Sequence, residues 1–164
     1  MSWTELNFGK HAGKSLPQVL FADPDWFFWA VDNNVFAKRP AISREAEILN
    51  TRARNIKIPA AEAGTMTVEY VVHRPTGKFS HFDLVPRERE EPHDGSSPTF
   101  RSNVIDMSVP RQIAQYDKLG CRSLVSSLKF HVFGSKSARI TKERAEAFFS
   151  NKANFVRRLG HVLI

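Results

Sequence analysis

The chain has a single cysteine, Cys121, and only two tyrosines and three methionines in 164 residues, and no apolar run long enough to cross a bilayer. A lone thiol closes no internal disulfide, and no pair of Cys/His clusters has the spacing of a zinc site. Neither a signal-peptide pattern nor a membrane span is visible, so the expected setting is the reducing cytoplasm, with no membrane insertion. Ser126, Ser127, Ser135 and Ser137 lack the glycine elbow of a serine hydrolase, and no internal repeat occurs. What is present is 41% hydrophobic content, enough to bury one good core. The expected division is an N-terminal turn and helices over residues 1–62, packed on a main domain over residues 63–164.

Charge is unevenly spread. The formal net charge is +7, made of +1 over residues 1–62, −2 over residues 63–98 and +8 over residues 99–164. Lys129, Lys136, Arg139, Arg157 and Arg158 of the last third, with Lys10 and Lys14 near the N-terminus, are the expected DNA-contacting cations, because clustered positive charge among aromatic and polar residues suits a phosphate backbone. A solubilising surface is the alternative reading.

Asp23-Pro24-Asp25 opens a helix, with a capping carboxylate, proline in the first turn and an acid at the positive dipole end. Trp26, Trp29 and Ala30 form its expected buried face, widened by Phe27 and Phe28. Ser43 is the expected cap of a second helix with Ala46, Leu49, Ala53 and Ile56 in one stripe and Arg44, Arg52, Arg54 and Lys57 on other faces. Residues 65–73 alternate, Pro75-Thr76-Gly77 turns the chain, and residues 79–85 complete a β-hairpin. Residues 86–98 carry too many breakers for an element and read as a surface loop. Residues 100–107 read as a third strand, and Ser108-Val109-Pro110 starts a helix that Gly120 stops. Another helix begins near Cys121, and from Leu128 an alternating pattern leaves helix and strand both open. Thr141 caps a further helix, and residues 155–164 form an apolar tail able to dock as a terminal helix. The class that results is α+β, a small mixed or antiparallel sheet packed with helices.

Three segments carry residues suited to chemistry. Residues 9–15, Gly-Lys-His-Ala-Gly-Lys-Ser, fall one residue short of a Walker A loop, which needs four residues between its first glycine and Gly-Lys-Ser. A tight hairpin turn, with Gly9 and Gly13 supplying positive φ, is the competing reading. Gly120, Cys121, Arg122 and Ser123 lie where a helix stop meets a helix start, and exposed backbone amides beside Arg122 and a hydroxyl suit an anion. An ordinary helix–helix turn is the alternative. His81 and Asp83 share a strand face, with Glu88 and Glu90 following and His73 across the hairpin. Such a set could hold Mg²⁺ or Mn²⁺ through Asp83, Glu88 and Glu90, with Asp83, Glu88 and His81 catalytic on a phosphodiester. A solvated polar strand face is the other reading.

Residues 8–17, with Asp23-Pro24-Asp25-Trp26-Phe27-Phe28-Trp29, resemble a short FGK-x-x-GK module found in small bacterial proteins and at the C-terminus of some exodeoxyribonucleases. Residues 120–123 resemble the Gly-Cys helix start of the ParB/sulfiredoxin superfamily, where that turn binds nucleotide phosphate. The sulfiredoxin pattern has a His between Cys and Arg, and here Arg122 follows Cys121 directly, so reductase chemistry is not implied. In overall organisation across residues 65–135 the chain is similar to plasmid fertility-inhibition (oncogenic-suppression) proteins. That resemblance implies a ParB/sulfiredoxin-like fold with an N-terminal helical appendage and interference with conjugative DNA transfer. It also implies ATP hydrolysis and metal-dependent DNA cleavage, with DNA and conjugation-machinery proteins as partners. A non-catalytic basic DNA-binding or partner-blocking module is the alternative function.

Overall fold

A computed structural model describes residues 2–59, 61–89 and 97–157. The chain begins with a tight reversal in which Leu6 N–H donates to the Lys14 carbonyl (2.9 Å) and Gly13 N–H to the Leu6 carbonyl (2.7 Å). Gly9 (φ 70°) and Gly13 (φ 88°) take the left-handed backbone this turn requires, which a Cβ would strain. Helix α1 (Leu16–Ala22) follows, with Ser15 at its N-cap and Pro17 tolerated in the first turn, where no intrahelical N–H is needed. Helix α2 (Pro24–Asp32) starts as the sequence predicts, the Asp23 carboxylate accepting from Trp26 N–H at 3.2 Å. Its buried face is rotated from the expected one. Pro24, Phe27, Phe28 and Ala30 are inside while Trp29 is 46% exposed, because the adjacent phenylalanines are the pair that meet the core.

Helix α3 (Pro40–Ala53) starts three residues before the expected Ser43, with Arg39 at the N-cap and proline at the first helical position. Ala46, Leu49 and Ala53 are buried as expected. Arg52 is buried with them, contrary to expectation, and its guanidinium donates to the Phe149 carbonyl. Ile56 lies past the helix end, in the short strand β1 (Ile56–Lys57).

Strands β2 (Met66–His73) and β3 (Lys78–Pro86) form the predicted antiparallel hairpin around Gly77 (φ 69°). The third strand is split into β4 (Thr99–Ser102), paired antiparallel with β2, and β5 (Val104–Ile105), paired with β1. The larger sheet has the order β3-β2-β4. Cross-strand pairs Val68–Leu84 and Tyr70–Phe82 present apolar side chains on one face, and all four residues are buried. The expected surface loop at residues 86–98 lies largely outside the described residues, as does most of the expected terminal helix over residues 155–164; Phe155 is buried in an isolated bridge to Ile56.

Between Ser108 and Gly120 the structure departs most from the sequence reading. Only a single 3-10 turn, Val109–Gln112, forms there, and helix α4 (Lys118–Phe133) starts from Asp117. It continues unbroken through Leu128 and stops at Gly134 (φ 88°), so the helical option holds and no strand forms. Helix α5 (Lys142–Ser150) has its predicted cap, Thr141 accepting from Arg144 N–H at 3.2 Å. Phe21 of α1 meets Phe133 of α4 and Phe149 of α5 at ring distances of 5.6 Å each, so residues from both 1–62 and 63–164 enter one buried core. The architecture is therefore α+β, with helices packed around small antiparallel sheets.

Candidate nucleic-acid interface

In the glycine turn three of the loop's own amides are already engaged. Ala12 N–H donates to Gly9, Gly13 N–H to Leu6 and Lys14 N–H to His11, so these donors do not face a phosphate. Lys10 and His11 both turn onto one carboxylate, with Lys10 Nζ and His11 Nε2 each 3.0 Å from Asp23 Oδ2. His11 is only 7% exposed and meets the Trp26 ring edge-on at 5.0 Å. Burial opposes ionisation of Asp23, yet hydrogen bonds from Lys10, His11 and Trp26 N–H outweigh it and hold its pKa below the usual value. The segment is a hairpin turn clamped to the start of α2, with His11 Nδ1 and Ser15 Oγ buried without a hydrogen-bond partner. Lys10, expected on DNA, is held by Asp23; Lys14 is not held in this way, and no described carboxylate pairs with it.

The junction expected at residues 120–123 does not exist as a helix stop. Gly120 sits in the first turn of α4, and Asp117 Oδ1 accepts from the Leu119 and Gly120 amides at 2.9 and 3.2 Å. A cap of protein origin therefore fills the place a nucleotide phosphate would take. The hydrogen bond from Lys78, 2.7 Å away, leads the effects that keep the Asp117 carboxyl below its usual pKa. Cys121 is buried, and burial pushes its thiol pKa up to about 12, the opposite of an activated thiolate. Ser123 donates to the Leu119 carbonyl at 3.0 Å, and Arg122 points to solvent. Gly120 is there for close packing: a Cβ would stand 3.3 Å from Pro110 Cβ and 3.4 Å from Phe79 Cβ.

The expected metal set is dispersed. His81 Nδ1 bonds Ser80 Oγ at 2.9 Å, and His73, at the far end of the hairpin, bonds Thr76 Oγ1 at 2.9 Å. Asp83 pairs instead with His131 of α4, Oδ1 to Nε2 at 3.3 Å, a partner that the sequence reading missed because residues 128–133 were open to being a strand. His131 also stacks on Phe82 at 5.4 Å, and its burial lowers its pKa against the pull of Asp83. Glu88 is exposed beyond β3, and Glu90 lies outside the described residues. Among the described residues no group of three or more His, Cys, Asp or Glu gathers as a ligand set. No helix among them is long and apolar enough to cross a membrane.

Two groups of cations stand apart. Lys10, Lys78, Arg101, Arg111 and Lys142 pair with Asp23, Asp117, Glu69, Asp25 and Glu5 at 2.6 to 3.0 Å. Lys14, Lys118, Arg122, Lys129, Lys136 and Arg139 have no such carboxylate among the described residues. The reason is legible along the chain, since no acidic residue separates Asp117 from Glu143. On α4 the buried residues Gly120, Cys121, Leu124, Val125, Ser127 and Leu128 face the core. At about 100° per residue, Lys118, Arg122 and Lys129 then fall within about 40° of one another along one border of the exposed face. Across that border lies a hollow of about 300 Å³ lined by Lys14, Gln18, Val125, Lys129 and Ile140 among others. Folding thus brings Lys14 and Lys129, 115 residues apart in sequence, to one depression, with Arg139 the neighbour of its Ile140 wall. Arg157 is exposed after Phe155, away from any described carboxylate, and Arg158 lies outside the described residues.

Comparison with protein-family models, with curated proteins and with solved structures finds no match for this chain.

Proposed function

We propose that this protein is a DNA-binding module that holds the phosphate backbone along α4 and the adjoining hollow, through Lys14, Lys118, Arg122 and Lys129. The observation that carries this reading is the acid-free stretch between Asp117 and Glu143, whose α4 cations stand unpaired on one border of a helix while five cations elsewhere are matched to carboxylates. Unpaired surface cations in a row repel one another, and a polyanion relieves that repulsion while releasing its own counterions. The reading does not require catalysis. Asp83 is engaged by His131, and the Leu119 and Gly120 amides by Asp117. A ParB/sulfiredoxin-like assignment, and a role against conjugative transfer, rest on the resemblance alone.

The test is the salt dependence of binding to a labelled duplex. The logarithm of affinity should fall with the logarithm of salt at about 0.9 per neutralised phosphate. Combining Lys14→Ala, Arg122→Ala and Lys129→Ala should lower that slope by about two to three, for all sequences alike, while Lys10→Ala leaves it unchanged. A flat salt response of the wild type, or an equal loss with Lys10→Ala alone, rejects the reading.

A further inference from the structure

The exposed face of α4 has a second border. Beside the cations stand Leu119, 62% exposed, and Phe130, 50% exposed, with Ser123 and Ser126 between them along the helix. Large apolar side chains at this exposure stay in water, covered by nothing within the chain, and they lie within one face of the same three-turn stretch that carries Lys118, Arg122 and Lys129. Phe130 is also positioned. His131 meets its ring edge-on at 5.0 Å and 86°, and His131 is itself wedged against Phe82 and paired with Asp83. An aromatic ring buttressed in this way and open to solvent on a rigid helix is a preformed stacking platform.

Resting on the DNA-binding reading above, we infer that α4 selects single-stranded over duplex DNA, Phe130 stacking on an unpaired base while Arg122 and Lys129 hold the neighbouring phosphates. Duplex DNA hides its base faces in the stack and offers this surface only phosphates and groove edges, against which a phenyl ring gains little. A single strand offers both charges and π-faces, and the pairing of a basic track with an aromatic platform serves both. An anionic lipid surface also attracts cations beside apolar residues, but insertion needs a continuous apolar stripe. Here Leu119 and Phe130 stand about 16 Å apart along the helix axis, with two serine hydroxyl side chains between them.

The experiment uses the full chain and labelled oligo(dT), a matched duplex, and phosphatidylserine vesicles, all at one low salt concentration. Wild type should bind oligo(dT) more tightly than duplex. Phe130→Ala should weaken oligo(dT) binding about tenfold while duplex binding and its salt slope stay unchanged, and Phe130→Tyr should restore the preference. Circular dichroism of each variant controls for folding, which a half-exposed side chain should not disturb. Cation-dependent binding of both DNAs that ignores Phe130→Ala overturns this inference and leaves the DNA-binding reading intact. Failure of wild type to bind either DNA overturns both. Vesicle binding abolished by Phe130→Ala, with oligo(dT) binding unaffected, reassigns the face to lipid.

Discussion

In the glycine turn Lys10 and His11 both end on the Asp23 carboxylate at 3.0 Å, whereas on α4 Lys118, Arg122 and Lys129 end on no carboxylate among the described residues. The turn carries the more suggestive motif, with two glycines, two lysines, a histidine and a serine in seven residues. Yet its Lys10 and His11 Nε2 are spent on Asp23, so they serve to fasten the turn to the start of α2. Helix α4 carries the Gly120–Ser123 tetrad, whose amides Asp117 caps, while its cations pair with no described carboxylate. What separates the two regions is the location of the acids. Asp23 stands within reach of the turn, and nothing acidic lies along α4 after its cap.

The largest effect expected from this contrast is on stability. Asp23→Ala removes the partner of Lys10 and of the buried His11 together with the cap on Trp26 N–H, and should cost about 2 kcal/mol in urea unfolding. Lys129→Ala on α4 should change stability by no more than about 0.5 kcal/mol. The pH dependence follows from the lowered pKa of folded Asp23. Its contribution is fully present above the unfolded value of 3.8 and is lost as the pH falls through the lower folded value, so the gap between wild type and Asp23→Ala should close in acid. A gap that persists at low pH would show that Asp23 acts other than through its charge.

A smaller effect is expected at the turn itself. Gly13→Ala meets no atom within 4 Å, so the whole cost comes from the φ of 88°, about 1 kcal/mol. A neutral result in thermal unfolding would mean that the turn is held by its clamp on Asp23 alone.

The smallest concerns the support beneath Phe130. Burial lowers the pKa of His131, so its neutral form contributes stability that is present above the unfolded value of 6.5 and lost as the pH falls through the lower folded value. His131→Gln should therefore flatten the fall in melting temperature between pH 7 and pH 5. A steeper fall in the variant would indicate that the pull of Asp83, and not burial, dominates at this histidine, and an unchanged profile that the two cancel.

Elements whose signals are local were legible in advance. The Asp23 and Thr141 caps and the hairpin at Pro75-Thr76-Gly77 depend on a few adjacent residues, and each formed where the sequence placed it. Gly120 was misread because a glycine after an apolar stretch usually ends a helix. Here it lies inside one, where Phe79 and Pro110 approach so closely that a side chain would push them aside by a few tenths of an ångström, and those neighbours come from elsewhere in the chain. Asp117, three residues earlier, was the cap signal that competed with it. His131 was missed as the partner of Asp83 for a related reason: an alternating apolar pattern does not separate strand from helix until its partners are known.

Sequence alone determined the α+β class, the caps and hairpin set by adjacent residues, and the excess of positive charge in the last third. Tertiary structure decided which charges are used and which are left over. A polar contact is a matter of about 3 Å between atoms from distant parts of the chain, and no local pattern encodes that Lys10 would find Asp23, that Asp83 would find His131, or that Lys14 would come to rest beside Lys129.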